Sequence, residues 1–168
     1  NARRLGQTIA TARSDLPKST AEAYAVQEAI VALSGMARGG YKVGSTSKEA
    51  QSLLGTDEPG AGVLLRPFVF ESPASVPVVP DHMPAVEGEF AFRMGRDLPP
   101  RSALYTRDDV LSAVASLAGA IEVVGTRFAG GLKGKGRLLT TADGGVNIAL
   151  ATGPWTNFDA QDLRGHAV

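Results

Sequence analysis

Apolar positions recur along this chain in two periods, one typical of helices and one typical of strands. Residues 19–36, STAEAYAVQEAIVALSGM, have the spacing of an amphipathic helix, and Ser19 is placed to cap its start. The segment TSKEAQSLLG predicts a short second helix that stops at Gly55. A third, longer helix is predicted to begin at Thr106. Asp109 is placed to complete a capping box, and Gly119 is placed to end the helix. The predicted apolar stripe consists of Val110, Val114, Leu117 and Ala118.

Strand patterns occupy most of the other apolar runs. These runs are YKVG, VLLRPFVF, residues 85–94, AIEVVG and VNIALATGPW, with turn residues between them. The segment SPASVPVVPDHMP contains four prolines and cannot pair continuously inside a sheet, so an edge or a loop is predicted there. FAGGLKGKGRLLTTADGG is predicted to be a glycine-rich loop. The irregular alternation of helices and strands predicts an α+β fold.

Length and composition limit the possible classes of protein. The 168 residues are enough for one domain with a substantial core. Lys plus Arg and Asp plus Glu both number 17, so the formal net charge is zero and nucleic acid is not an expected partner. The lack of cysteine excludes disulfides and thiolate metal sites, which fits a reducing, cytoplasmic setting. No apolar run has the length of a membrane span, so no membrane partner is expected.

Both ends of the sequence suggest a trimmed chain. Position 1 is not an initiator Met, and the sequence stops at LRGHAV, just after the entry to another predicted strand. The sequence itself leaves open whether the natural chain continues past Val168.

The strand at residues 85–94, AVEGEFAFRM, carries two glutamates one residue apart. Because strand side chains alternate, Glu87 and Glu89 share a face and lie about 7 Å apart along it. Phe90 and Phe92 point the other way and predict that the opposite face lies in a core. A pair of glutamates spaced like Glu87 and Glu89 often lies on a solvated outer face of a sheet. Near an interior, it needs a cation, a shared proton or full hydrogen bonding.

Glu122 lies within the apolar run AGAIEVVG, where a buried strand favours another apolar side chain. A lone buried glutamate has a raised pKa, pairs with a cation or ligates a metal. By itself, Glu122 favours a structural ion pair. Together with Glu87 and Glu89, and without a His or Cys cluster, it favours a hard oxygen site suited to Mg²⁺ or Mn²⁺.

Lys42 lies between apolar neighbours in YKVG. It is either a surface lysine with a partly buried stem or a group that orients a substrate carboxylate or transfers a proton. GGLKGKG lacks the ending of a phosphate loop and predicts a flexible lid or surface loop. His82 and His166 lack metal-like spacing, and there is no G-x-S-x-G elbow, so a Ser-His-Asp hydrolase is not expected.

Several segments resemble, in order, those of the 2-keto-4-pentenoate hydratases, a branch of the fumarylacetoacetate hydrolase superfamily. They are AYAVQ at 23–27, GYKVGSTS at 40–47, EGEFAFRMGRDLP at 87–99, IEVVGTRF at 121–128 and, more loosely, TADGG at 141–145. The resemblance implies the family's mixed β-sheet roll with helices packed outside. Residues 1–40 would form an N-terminal helical segment, and residues 41–168 would form the roll that carries the catalytic core, in one domain overall.

The resemblance also implies a site. Glu87, Glu89 and Glu122 would hold a divalent metal, Mg²⁺ or Mn²⁺, and Lys42 would face the substrate with Asp143 near it. In this family a 2-oxo acid chelates the metal, which stabilises the enolate. The expected activity is that of a lyase, hydrating a small 2-hydroxydienoic or 2-oxo acid in the catabolism of aromatic compounds.

The chain departs from the family pattern at three places, one of which is the ADGG run at 142–145, where an ADN-Ser-like run is common. Arg66 and Pro67 stand where an acidic pair is common, and Gly125 stands where an aspartate is common. Decarboxylation or acylpyruvate-type C–C hydrolysis at the same metal site, and a non-catalytic partner subunit of such an enzyme, therefore remain alternatives. An open sheet surface predicts a homo-oligomer, alone or with a related partner subunit. The glycine-rich loop at 130–136 is expected to act as a mobile lid.

Overall fold

The computed structural model of the chain describes residues 2–11 and 16–158. His166 lies outside these residues. The helices are α1 (Ala2–Leu5), α2 (Thr20–Ser34), α3 (Lys48–Leu54), α4 (Arg107–Leu111) and α5 (Gly136–Ala142). The strands are β1 (Arg38–Gly44), β2 (Gly60–Leu65), β3 (Val69–Glu71), β4 (Ala85–Met94), β5 (Val114–Val124), β6 (Asn147–Thr152) and β7 (Thr156–Asn157). The fold is α+β, as predicted. None of the described helices has the length and apolar character needed to cross a membrane.

The strands of the described residues form two sheets. β1 and β2 make an antiparallel pair. The second sheet is mixed and has the order β3-β6-β5-β4, with β7 added beside β5. In it, β3 runs parallel to β6, while β5 is antiparallel to both β6 and β4. The long β4–β5 pair forms the part of the sheet that carries the glutamates.

Helix α2 packs against β2 and α5 and begins where the sequence predicts. The hydroxyl of Ser19 accepts a hydrogen bond from the main-chain N–H of Glu22, which caps the helix. Val31 packs with Val63 and Leu65 of β2 in a small apolar cluster. A second cluster forms around Val123, Ile148 and Ala149, where β5 and β6 meet.

Gln27 ties α2 to two other elements through its buried amide. Its side-chain oxygen accepts from the N–H of Val63 at 3.0 Å, and its nitrogen donates to the carbonyl of Thr141 at 2.7 Å. These bonds join α2 to β2 and α5.

The third predicted helix is wrong beyond its first turns. α4 has only five residues, although its predicted capping box is present, with Thr106 and Asp109 each bonded to the other's main-chain N–H. From Val114 onward the chain is strand, and Leu117 pairs with Phe92 of β4. A short apolar run fits the spacing of a helix as well as that of a strand. Pairing with the ten-residue strand β4 favours the extended form for residues 114–119.

Two other predicted elements also differ from the structure. VLLRPFVF was predicted as one strand, but it turns at Arg66–Phe68 and continues as β3 in the other sheet. Pro67 has no N–H, so the ladder cannot continue through it. The predicted glycine-rich loop contains the helix α5, and β7 follows the strand predicted to be the last. The proline-rich segment forms only a single turn, Pro80–His82, as its prolines predict.

The face of β4 that was predicted to lie in a core is partly open. Phe92 is 44% exposed and Val86 is 71% exposed. The more deeply buried carboxylate, Glu122, lies instead on the face that carries Glu87 and Glu89. Alternation predicted which residues share a face but not which face the rest of the chain covers.

Candidate metal centre

Register in the β4–β5 pair brings the three glutamates together. Glu87 lies directly opposite Glu122, and Glu89 follows two residues later on the same face. One carboxylate oxygen from each side chain can be chosen so that all three lie within 4.8 Å of one another. Glu87 is exposed, Glu89 is half-buried and Glu122 is 1% exposed. The cluster therefore runs from solvent into the interior.

Lys42 reaches this cluster from the other sheet. Its Nζ lies 3.0 Å from Oε2 of Glu122, and its side chain is only 11% exposed. The same ammonium donates to the carbonyl of Gly145 at 3.2 Å. Lys42 is therefore a largely covered ion-pair partner rather than a surface lysine.

Glycine at position 62 allows this approach. Gly62 is the β2 residue opposite Lys42 in the β1–β2 pair. A Cβ built on it would lie 2.2 Å from the carbonyl oxygen of Gly144 and 3.0 Å from Cγ of Lys42. Any larger residue would have to displace the backbone of that neighbouring turn.

The electrostatics of the cluster favour a cation. Three carboxylates and one ammonium carry a formal charge of −3 + 1 = −2. Burial raises the pKa of Glu89, and the nearby carboxylates of Glu122 and Glu87 add to this, while Lys42 opposes it. A divalent cation would neutralise the formal charge of −2. Carboxylate oxygens are also the ligands that hard divalent ions prefer, so the donor set fits such an ion.

Asn147 holds the second oxygen of Glu122. Its Nδ2 donates to Oε1 of Glu122 at 2.9 Å, and the residue is 2% exposed. Glu122 is thus bonded by an ammonium on one oxygen and by an amide on the other. The orientation of its carboxylate is fixed from two sides.

Asp143 pairs with Arg127. The guanidinium Nε donates to Oδ1 of Asp143 at 2.8 Å, and both side chains are 9% exposed. It is the carbonyl of Gly145, two residues further along, that contacts Lys42. The role of Asp143 beside the substrate therefore stays a prediction, whereas its buried ion pair is a feature of the structure.

Sequence reasoning did not select Arg127 or Asn147 as members of the site. Both are polar residues at the ends of apolar strands, Arg127 just after β5 and Asn147 at the start of β6. Both are buried. This is the same signal that singled out Glu122, and it could have been applied to them.

Packing explains why position 125 carries no acid. A Cβ on Gly125 would lie 2.6 Å from the carbonyl oxygen of His82 and 2.6 Å from Cδ1 of Ile148. His82 itself is buried, and its Nε2 lies 2.9 Å from the carbonyl of Gln7. In this packing an aspartate at position 125 does not fit.

A cavity of about 390 Å³ lies next to the cluster, between α2, β2 and the turn before β6. It is lined mostly by apolar side chains, with polar groups from Gln27, Arg127, Asp143 and Asn147. None of the three glutamates lines it, and Lys42 does not either. Asn147 contacts both this cavity and Glu122.

Comparison with known proteins gives relatives for this arrangement. The chain is 36% identical over 129 residues to a 2-keto-4-pentenoate hydratase of Paraburkholderia xenovorans. The aligned residues make up 74% of this chain and 47% of that protein. This chain is a relative of the 2-keto-4-pentenoate hydratases. A 2-hydroxyhexa-2,4-dienoate hydratase of Comamonas testosteroni is 33% identical over 131 residues, or 74% of this chain and 49% of that protein. The family resemblance seen in the motifs is confirmed.

The match is partial in length. The chain spans about half the length of these curated relatives of 2-keto-4-pentenoate hydratase type. No family model matches it. The fold is shared with 4-oxalocrotonate decarboxylase from Pseudomonas putida G7, solved in complex with magnesium and adipate, with a TM-score of 0.81 and 24% sequence identity. That alignment covers 98% of this chain and 63% of the decarboxylase.

Proposed function

We propose that this protein is a divalent-metal-dependent hydro-lyase that hydrates a small 2-hydroxydienoic or 2-oxo acid. The convergence of Glu87, Glu89 and Glu122 within 4.8 Å, beside the ammonium of Lys42, carries this proposal. The names of the relatives, which are hydratases of 2-keto-4-pentenoate and related dienoates, support the reaction class.

The three glutamates would hold the metal, with Mg²⁺ or Mn²⁺ as the ion. When bound, the metal supplies Lewis-acid stabilisation of the negative charge that develops on a 2-oxo acid. The open side of the cluster, at Glu87, leaves room for a substrate, while Glu122 anchors the inner side. Solved structures of the same fold contain magnesium or calcium, which supports a divalent ion.

Lys42 would act on the substrate rather than on the metal. Its ammonium is held at Glu122 and Gly145, so it presents a fixed positive charge beside the cluster. A fixed ammonium there can orient a substrate carboxylate or carry a proton at Nζ. Asp143 would also lie near the substrate, because it belongs to the same turn as Gly145.

Metal titration tests the proposal. Isothermal titration of the wild-type chain with Mg²⁺ and Mn²⁺ should show one site, and Glu89→Gln should weaken it at least about tenfold. Glu58→Gln, which changes an exposed carboxylate in the turn before β2, is the matched control and should bind as the wild type does. Equal binding by the wild type and Glu89→Gln, or by neither, would refute the metal centre.

Product analysis separates hydration from its alternatives. Decarboxylation of a 2-oxo acid and acylpyruvate-type C–C hydrolysis would use the same metal site. In a panel of 2-hydroxydienoic and 2-oxo acids, incubated with the metal-loaded protein, the unsaturated members should each gain one water across a carbon–carbon double bond. Release of CO₂ or of a cleaved acid would instead assign one of the alternatives.

A non-catalytic partner subunit is the second candidate. It is favoured by position 125, where the packing leaves no room for the acid that the family pattern often has. A lone enzyme should turn over its substrate after metal addition. A partner subunit should do so only when it is co-expressed with an active relative.

A further inference from the structure

The turn between α5 and β6 has an unusual backbone. Gly144, Gly145 and Val146 have φ angles of 70°, 67° and 58° in succession, so three consecutive residues are left-handed. For a β-branched residue such as Val146 this conformation is a true outlier. A turn of this kind persists only where the surrounding structure holds it in place.

Arg127 bonds to both ends of this turn. At one end, its Nε donates to the carboxylate of Asp143, and its Nη2 donates to the main-chain carbonyl of the same residue. At the other end, its Nη1 donates to the carbonyl of Asn147 at 2.8 Å. Arg127 is 7% exposed, so these bonds form away from solvent.

The same turn supplies one contact to each member of the Lys42–Glu122 pair. The carbonyl of Gly145 accepts from Lys42, and the amide of Asn147 donates to Glu122. Strand pairing fixes where the backbone of Glu122 lies, but it leaves the rotation of the carboxylate free. The turn removes that freedom.

We propose that Arg127 is a positioning residue that holds turn 143–147 and thereby orients the carboxylate of Glu122 and the ammonium of Lys42. This inference rests on the proposed function, because the oriented pair belongs to the proposed metal centre. The planar guanidinium of Arg127 donates from three separate nitrogens and so reaches Asp143 and Asn147 at once, whereas the donors of a lysine all lie on one nitrogen.

Arg127→Lys tests the inference, because it keeps the positive charge beside Asp143 but removes the guanidinium that bonds to Asp143 and Asn147 together. Arg101→Lys is the matched control. Its guanidinium also bonds one carboxylate, Asp109, and two carbonyls, those of Ala103 and Leu104, but it lies in the exposed connection at the far end of the β4–β5 pair. In Mg²⁺ titrations Arg127→Lys should raise Kd about tenfold, the loss typical of outer-shell partners, and Arg101→Lys should leave it unchanged.

Affinity separates positioning from mere stability. If Arg127 only stabilises the fold, Arg127→Lys lowers the number of binding sites per chain and the melting temperature but leaves Kd of the folded fraction unchanged. That result would overturn the inference while leaving the proposed function intact. If Arg127→Lys does not fold, Asn147→Ser tests the same turn, since it keeps the carbonyl for Arg127 and removes the amide that reaches Glu122. An unchanged Kd in Asn147→Ser would then overturn the inference.

A readout that needs no metal keeps the two proposals distinguishable. A crystal structure of Arg127→Lys should show the Gly145 carbonyl displaced from Lys42. For Asn147→Ser, it should show the Glu122 carboxylate rotated. If the wild type binds no metal, the proposed metal centre fails, and this structure alone decides the positioning role. Unchanged contacts of Lys42 and Glu122 in both variants would overturn it.

Discussion

Buried charge is the dominant feature at the scale of single residues. Glu122 is almost wholly buried and is compensated by Lys42 and Asn147, so both of its oxygens are bonded. Glu89 is less well compensated, because its neighbours on β4 and β5 are also acidic. A carboxylate in that position opposes folding when no cation is present and favours it when one is bound.

The stability of Glu89→Gln should therefore depend on pH and on metal. The folded-state pKa of Glu89 lies above its unfolded value, so its contribution to stability is greatest below the unfolded pKa and is lost as pH rises through the folded pKa. In metal-free buffer, urea unfolding should show Glu89→Gln gaining stability over the wild type as pH rises from about 4 to 7. In the presence of Mg²⁺, the wild type should instead be more stable than Glu89→Gln.

Glu58→Gln is the control for this pH effect, because it removes an exposed carboxylate outside the cluster. Its stability relative to the wild type should not change with Mg²⁺. A metal-free Glu89→Gln variant that gains nothing between the two pH values would show that Glu89 does not carry an unfavourable charge in the folded protein.

At the scale of elements, the site depends on a close approach between β2 and the turn before β6. Gly62 lies where these two backbones meet, and the carbonyl of Gly144 occupies the space of a side chain there. Lys42 extends across the same point toward Glu122. The two sheets are thus joined beside the glutamate cluster by backbone contact as well as by the ion pair.

Gly62→Ala should be costly, and its cost should extend to the site. A Cβ at 2.2 Å from the Gly144 oxygen must displace the turn, which should lower the free energy of unfolding by roughly 1–3 kcal/mol, as overpacking does. The displaced turn should also weaken Mg²⁺ binding. Urea unfolding and metal titration measure the two effects.

Gly119→Ala is the matched control, since a Cβ there meets nothing within 4 Å and the residue lies in β5. It should be neutral or stabilising by about 0.5–1 kcal/mol, because alanine loses less backbone entropy on folding. Equal stability losses in the two variants would mean that the approach of β2 to the turn does not matter.

At the scale of the whole molecule, one face of the sheet is apolar and partly open, although Leu117 and Val123 on it are buried. On the side of β4 and β5 away from the glutamates, Val86 is 71%, Ile121 48%, Phe92 44% and Met94 44% exposed. In the described residues, the outer edge of β4 pairs with no other strand. Exposed apolar faces and unpaired edges favour association with another chain.

We therefore expect a homo-oligomer, at least a dimer, whose contacts cover this face and leave the glutamates accessible. Light scattering at micromolar concentration should give a mass above that of one chain, and Phe92→Lys should lower it without changing Mg²⁺ affinity. Leu104→Lys changes an apolar residue that is 93% exposed but lies outside the sheet, so it should leave the mass unchanged. A monodisperse wild-type monomer that binds no apolar dye would contradict this expectation.

The sequence alone predicted the elements whose signals are local. The helix α2 follows from its cap and its apolar spacing, and β4 follows from strict alternation. Alternation also placed Glu87 and Glu89 on one face, and the oddity of an acid in an apolar run singled out Glu122. These predictions need only neighbouring residues, because caps and side-chain direction are local properties of the backbone.

Only the tertiary structure decided the rest. Residues 114–119 have a local pattern that fits a helix, yet pairing with β4 makes them strand. Lys42 pairs with Glu122, which is far from it in sequence. Arg127 likewise bonds to Asp143 and Asn147, at the two ends of turn 143–147. No local pattern encodes which distant backbone will supply a partner, because a buried charge requires compensation but does not specify where it comes from.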